Sequence, residues 1–441
     1  MSRRLVSLLG LASAVAIATA CSAVDKGSTF GNDGTTAGNG SGGSGTNIGT
    51  TGGGNDGQGG FNVTGGGGGN PTGTVCNHGP DEDGDADGFT GAQGDCNDCD
   101  ANVNPGAVDA LMETDGGPGT VTDNDCDGKA ELPKSCDDAV ALDSVDAMAG
   151  AQAIELCNVA GANDKKWGVV SARYVRADGS AMNPAAQVGL LTGFGPNVHV
   201  QGGTHMLVLS SGYSRLPGQP GACDSESCTS NANGNAPPGF PQDVPNCQGD
   251  KAINDDVGLD LTLRAPTNAT GYRFLFKFQS FEFPEWVCTS YNDQFIALVN
   301  PPPQGSINGN ISFDSASNPV SVNIAFFDAC DPAGASNFGQ FCSFDPMSNC
   351  PGLPNPYCPS GPKELAGTGF DNGFGGDGDA GATSWLMTES PVKGGEQFSI
   401  RFAIWDTGDQ NLDSTVLLDK FEWVANGGTV AIGTNPIPTP K

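Results

Sequence analysis

Residues 76–131 contain fifteen Asp or Glu, one Lys and four Cys, with very little apolar content. Such a stretch has no side chains from which to build a hydrophobic core, and carboxylates this dense repel one another. Whatever order it takes has to come from cross-links and from cations, so disulfides and metal ions are the physical candidates. The alternative is a solvated acidic spacer with no fold of its own.

The spacing of the acids favours a cation. Asp83, Asp85 and Asp87 alternate before Gly88 and Phe89. Successive oxygens at that spacing face one ion, the glycine permits a sharp turn, and the Phe89 backbone carbonyl adds a ligand. A second cluster holds Asp95, Asn97, Asp98 and Asp100, followed by Asn102-Val103-Asn104-Pro105-Gly106-Ala107-Val108-Asp109; a third holds Asp123, Asp125 and Asp127. All-oxygen donors are hard and select Ca²⁺ over soft ions. Copper or zinc would call for histidine or thiolate, and only His78 lies here. Cys96-x-x-Cys99 is open to a redox or zinc reading, but flanking carboxylates disfavour the thiolate and no matching second pair follows.

The first loop resembles the opening half of an EF-hand, yet its twelfth position is Gly94. A repeat-type calcium loop, as in thrombospondin type 3 or dockerin modules, is closer. Taken together, the three clusters resemble a short bacterial metal-binding motif named after a methanotroph copper-binding surface protein. One departure leaves the disulfide pattern open: Ala110-Leu111-Met112 and a Gly-rich insert stand where that motif usually has Cys-Asp-Gly.

The N-terminus reads as an export signal over residues 1–20. Arg3 and Arg4 precede a run from Leu5 to Ala18, too short to span a bilayer. Ala18-Thr19-Ala20-Cys21 resembles the lipobox of bacterial lipoproteins, which would place a lipid anchor in the membrane on Cys21; the other reading is ordinary Ala-x-Ala cleavage. Removing Cys21 from the fifteen cysteines leaves an even set, as an exported disulfide protein prefers. Ser22 rather than Asp favours the outer membrane by the same resemblance. Residues 21–75 are rich in Gly, Thr, Asn and Ser and read as a disordered tether. As a flexible coil it would hold the next domain roughly 40 Å from the anchor. The net charge of -31 excludes nucleic acid and anionic lipid as electrostatic partners.

Residues 136–424 have the composition of a globular domain and read as mainly β: a β-sandwich or jelly roll beside a small acidic module organised by disulfides and metal. Candidate strands are Trp167–Val175, Met206–Leu209, Gly258–Leu263, Tyr272–Ser280, Gln294–Val299, Val320–Phe327, Gln397–Trp405 and Thr415–Val424. Cys136–Met148 is the one helical candidate, and residues 425–441 look like a flexible tail. The cysteines fall into even local groups: Cys136 and Cys157; Cys223, Cys228, Cys247 and Cys288; Cys330, Cys342, Cys350 and Cys358.

Phe281-Glu282-Phe283-Pro284-Glu285-Trp286, then Tyr291-Asn292-Asp293-Gln294-Phe295, resembles the signature of the choice-of-anchor L domain. Arg401–Asp409 and Leu412–Asp419 resemble that family's closing strands, and Leu209-Ser210-Ser211-Gly212 its early segment. Position 281 holds Phe where the family often has Glu. The resemblance implies a bacterial surface domain, held by varied anchors, with no established catalysis. Glu282, Glu285, Asn292 and Asp293 would then surround a second Ca²⁺, with Asp406, Asp409 and Asp413 serving a third or joining the same site. Equally, these acids would cap turns at the sandwich edge. Asp371, Asp377 and Asp379 form a weaker cluster.

Enzyme activity is not expected. His78, His199 and His205 are far apart in sequence, and no nucleophile elbow, metalloprotease helix or phosphate loop is present. Three functions are left: a calcium-binding surface protein that adheres to glycan, matrix or a cell-surface protein; a structural or assembly component of the envelope; and copper capture.

Overall fold

Runs of branched and aromatic residues form the strands of this protein, and antiparallel pairing joins them. The computed structural model describes residues 78–114, 117–229, 234–245, 247, 249–284, 286–323, 326–330, 360–371, 380–427 and 429–437; the export signal, Cys21 and the tether lie outside them. A small hairpin pairs β1 (Ala110–Thr114) with β2 (Gly117–Thr122). One sheet of five strands runs β3 (Gly168–Val175), β6 (Ile253–Arg264), β13 (Gln397–Thr407), β8 (Gln294–Asn300) and β9 (Val320–Ser321). The larger sheet runs β10 (Phe327–Cys330), β11 (Gly381–Thr383), β7 (Ala269–Ser280), β14 (Ser414–Ala425), β5 (Met206–Ser210) and β4 (Val188–Leu191). Two further strands extend it beside β7, namely β12 (Leu386–Pro391) and β15 (Gly433–Pro436).

The two sheets close on an aromatic layer. Phe274 of β7 meets Phe402 of β13 edge-on at 4.9 Å, Phe276 meets Phe295 of β8 at 5.0 Å, and Tyr272 stacks on Phe398 at 5.1 Å. Leu259, Leu261, Leu263, Val416 and Leu418 fill the same layer. Each ring buried this way contributes about 1.5–3 kcal/mol relative to exposure. The outer faces are also covered. Met206, Val208, Leu275 and Leu417 pack under Phe194, Phe281, Phe370 and Trp385 behind the larger sheet. Phe240 lies on Trp405, with Ile253, Ile296 and Ala403, behind the smaller one. Strands covered on both faces read as continuous apolar runs, which is why Met-Leu-Val-Leu of β5 shows no alternation.

Three expectations change. The helix expected over Cys136–Met148 is only Ala147–Gln152, capped by Asp146, whose side chain accepts from the Met148 amide. The segment before it is irregular and pinned by the Cys136–Cys157 disulfide. The strand expected over Val320–Phe327 is interrupted: β9 ends at Ser321, and Phe327 begins β10 in the other sheet. The tail expected from 425 carries β15, which pairs Gly433 with Glu389 and Pro436 with Leu386.

The acidic segment docks on the turn between β6 and β7. Asn268, buried there, imitates a strand partner: its Oδ1 accepts from Val108 N at 2.9 Å and its Nδ2 donates to Val108 O at 2.8 Å. Thr267 N donates to Gly106 O at 2.9 Å, and Trp167 Nε1 donates to Ala107 O at 2.8 Å. Replacing Asn268 with Ala leaves both Val108 groups unpaired in a buried place, a cost of about 1–3 kcal/mol. Asn268→Ala is therefore expected to lower the urea midpoint and to expose the segment before Cys136 to proteolysis first, read by mass mapping of the fragments.

Candidate metal centres

Two loops of the acidic segment share one internal pattern, forty residues apart. In the first, Asp83 Oδ2 accepts from Gly88 N (3.0 Å), Asp85 Oδ1 from Asp87 N (3.2 Å) and Asp87 Oδ1 from Phe89 N (2.7 Å). In the second, Asp123 Oδ2 accepts from Gly128 N (3.0 Å), Asp125 Oδ1 from Asp127 N (3.1 Å) and Asp127 Oδ1 from Lys129 N (2.8 Å). The fourth position of each turns left-handed, Ala86 at φ 65° and Cys126 at φ 61°, as does the glycine, at 97° and 87°. Each carboxylate uses one oxygen to hold the loop, and Asp85 Oδ2, Asp87 Oδ2 and Asp123 Oδ1 have no hydrogen-bond partner.

These oxygens gather in three groups whose ligand atoms lie within 4.8 Å of one another: Asp83, Asp85 and Asp87; Asp85, Asp95 and Asp98; Asp109, Asp123 and Asp125. Asp85 joins the first two. Gly84 allows that approach, because a Cβ there would stand 2.6 Å from Asp98 O. Asp109, buried, also accepts from the amides of Asn124, Asp125 and Glu131 and so braces the third group.

Two of the proposed carboxylate ligands lie outside these groups: Asp100 accepts from Asn102 and Asp127 is paired with Lys129. The Asn97 amide donates to Asp95 at 2.8 Å. Phe89 is buried under Lys165, whose Nζ sits 4.9 Å over its ring and also donates to Gly88 O. Cys96 pairs with Cys126 rather than Cys99, which joins the second cluster to the third; Cys99 is disulfide-bonded as well.

At the other end of the sandwich a second set of carboxylates is buried between the sheets. Glu282 follows β7, Asp293 precedes β8, Asp406 ends β13 and Asp413 precedes β14; none is more than 4 % exposed. Asp293 accepts from Thr407 N at 2.9 Å and Ser414 Oγ at 2.6 Å, Asp413 Oδ2 from Cys228 N at 2.8 Å, and Glu282 Oε2 from Asp293 N at 3.4 Å. Asp413 Oδ1 has no hydrogen-bond partner, and the Asp406 carboxyl lies against that of Asp293. Ser211 lies beside Asp406, but its hydroxyl is engaged with the backbone of Ser414. Asn292 instead accepts from Asn323 N, 31 residues further on, and Asp409 caps a turn by accepting from Asn411 N. Glu285, Asp377 and Asp379 lie outside the described residues, and Asp371 accepts from Gly367 N.

Asp255 belongs to this end and was missed in the sequence. The β6–β13 register shifts between Ile404 and Asp406, and Asp255 takes a left-handed φ of 52° in the resulting bulge. Its charge acts on Asp406 and Asp413. The available signal was Asn254-Asp255-Asp256 inside an otherwise apolar strand. Asp256 itself forms an ion pair with Arg176 at 2.9 Å.

Burial first, and neighbouring carboxylates second, push these acids up. Asp293 rises to about 7 and Asp413 to about 8; Asp406 and Glu282 lie well above the ordinary range. In the acidic loops burial lifts Asp87 to about 6 and raises Asp85, Asp95 and Asp125. A raised carboxyl binds a proton in the folded chain that the unfolded chain releases. Without divalent cations, stability therefore falls as pH rises from about 4 through about 6 for the loops. Calcium needs the ionised forms, so its affinity for the loops is expected to weaken as pH falls through about 6. Calorimetric titration between about pH 5 and 7.5 checks this.

A model of the choice-of-anchor L domain matches residues 166–422, from the strand β3 region to β14 and exclusive of the acidic loops. No curated protein and no solved structure matches the chain.

Proposed function

This chain belongs to the choice-of-anchor L domain family, and from that premise we propose that it is a calcium-binding cell-surface protein, tethered through its N-terminus, whose sandwich adheres to a glycan, matrix component or surface protein. Oxidised cysteines support an extracellular setting: Cys96–Cys126, Cys136–Cys157, Cys223–Cys228 and Cys247–Cys288 are formed. A lipid on Cys21 and the Gly-rich tether would lead, in sequence, into the acidic module, and that module rests on the β6–β7 turn.

The observation that carries the calcium reading is the convergence of Asp85, Asp95 and Asp98 within 4.8 Å, with Asp85 Oδ2 and Asp95 Oδ2 lacking hydrogen-bond partners. The donors are all oxygens, as Ca²⁺ requires. Bound calcium would replace like-charge repulsion with attraction and stiffen the joint between tether and sandwich. At the far end Trp286, 38 % exposed, stands edge-on to Tyr291 at 5.2 Å and offers an aromatic face on which a sugar would stack.

Calcium added to the full-length chain is expected to give saturable heat and a higher melting temperature than EDTA. Asp85→Asn with Asp95→Asn is expected to remove most of the heat. Unchanged heat in that variant would reduce the acidic segment to a spacer. For adhesion, Trp286→Ala is expected to lose retention on a glycan array while leaving the melting temperature within a degree or so of the parent, as surface substitutions do.

A further inference from the structure

The Cys96–Cys126 disulfide joins two of the three acid groups, and its two halves stand in the same local setting. Cys96 is the middle residue of the turn in which Asp95 Oδ1 accepts from Asn97 N at 2.8 Å. Cys126 is the middle residue of the turn in which Asp125 Oδ1 accepts from Asp127 N at 3.1 Å. Asp95 belongs to the group with Asp85 and Asp98, and Asp125 to the group with Asp109 and Asp123. Each cysteine thus follows a candidate ligand directly and lies within the turn that orients it. Asp95 is 7 % exposed and its Oδ2 has no hydrogen-bond partner, a buried oxygen that a cation would satisfy.

The bond brings the two turns to a Cα–Cα separation of 5.7 Å across 30 residues of chain, and Cys96 N donates to Cys126 Sγ at 3.2 Å. Asn124 Nδ2 donates to Asn102 O at 3.0 Å and Asn104 N to Asn124 O at 2.8 Å, contacts that keep the third loop in place when the bond is open. What opening removes is the covalent hold on Asp95. Carboxylates gathered this closely repel one another. A closed bond lowers the cost of collecting them around calcium, and bound calcium lowers the cost of keeping the two sulfurs together. Such coupling is reciprocal by thermodynamic necessity. Cys96 is exposed, which gives a reductant access. The flanking acids keep the freed thiols protonated, so sulfur does not replace oxygen around the ion.

Resting on the calcium reading of the acidic loops, we propose that Cys96–Cys126 is a redox switch on calcium binding. Closed, it holds the second and third groups ready for the ion; opened by a dithiol, it lowers their affinity. The step is thiol–disulfide exchange. One thiolate of the dithiol attacks Cys96 Sγ, the bond to Cys126 breaks, and Cys126 leaves as a thiolate that takes up a proton. The reductant's second thiolate then attacks its own sulfur in the mixed disulfide and releases Cys96, which is protonated in turn. Two electrons and two protons pass to the cysteines, and the reductant departs as a cyclic disulfide. No cysteine of Cys136–Cys157, Cys223–Cys228 or Cys247–Cys288 adjoins a residue of the three groups, so these bonds serve as controls.

The test makes two measurements on the full-length chain. By calorimetry, C96S/C126A is expected to bind calcium about 5–150-fold more weakly than the oxidised parent, the usual range for coupled sites. Alanine suits position 126 because the first loop carries Ala86 at the matching place, with φ 65° against 61°. Cys99 keeps its own disulfide in this variant. In a buffer of reduced and oxidised dithiothreitol, saturating calcium is expected to raise the equilibrium ratio of oxidised to reduced Cys96–Cys126 by a factor of similar size, read by alkylation and peptide mass, while Cys136–Cys157 does not move. A parent that gives no calcium heat overturns the calcium reading and this proposal with it. A parent that binds calcium beside a C96S/C126A chain of equal affinity overturns this proposal alone. So does a redox ratio that calcium leaves unchanged, or one that shifts equally for Cys136–Cys157. If C96S/C126A does not fold, the redox ratio in the parent decides by itself.

Discussion

Like-charge repulsion among carboxylates sets the terms for this structure. A chain of net charge -31 must keep its acids apart or bring them together around something positive. Over most of the sandwich they are dispersed or matched, as Asp260 is by Arg173 and Arg401. In the acidic loops they converge instead, and at the opposite end four of them are buried between the sheets. The apolar layer between the sheets makes this possible, because a sandwich held by Phe274, Phe276, Phe295 and Phe402 tolerates electrostatic stress at its rims.

The two ends meet that stress differently. In the acidic loops the alternating carboxylates each give one oxygen to a backbone amide two or five positions on, and Asp85, Asp87 and Asp123 keep the other oxygen without a hydrogen-bond partner. Hydrogen bonding shapes the loop before any ion arrives, so the sites are largely pre-organised. Between the sheets the acids are contributed by strand ends remote in sequence, and only sheet closure collects them. The loops are local devices that a cation stiffens, whereas the buried set is a consequence of the sandwich itself.

The docking of the loops links these levels. Asn268 replaces a missing strand partner for Val108, and Asn104 accepts from Thr267 Oγ1 at 2.7 Å and from Gly106 N at 2.9 Å. The module thus gains from the sandwich the order its own composition cannot supply. Force or motion arriving along the preceding chain would reach the sandwich through this contact.

The sequence by itself determined what is local or compositional. Alternate acids before Gly88 and Gly128 define the two loops because carboxylate and amide meet within a few residues. Runs of branched and aromatic residues determined the strands, and the motifs around Glu282 and Asp406 the family. Tertiary structure alone decided which residues distant in the chain meet. It paired Cys96 with Cys126, drew the expected tail into β15, and shortened the expected helix to Ala147–Gln152. It also buried Asp406 and Asp413 between the sheets, tied Asn292 to the Asn323 amide and left Asp409 to cap a turn. Asp255 shows why this was hidden. A one-residue bulge turns its side chain toward carboxylates about 150 residues further along the chain, and the position of a bulge follows from how two strands register against each other, not from either strand alone.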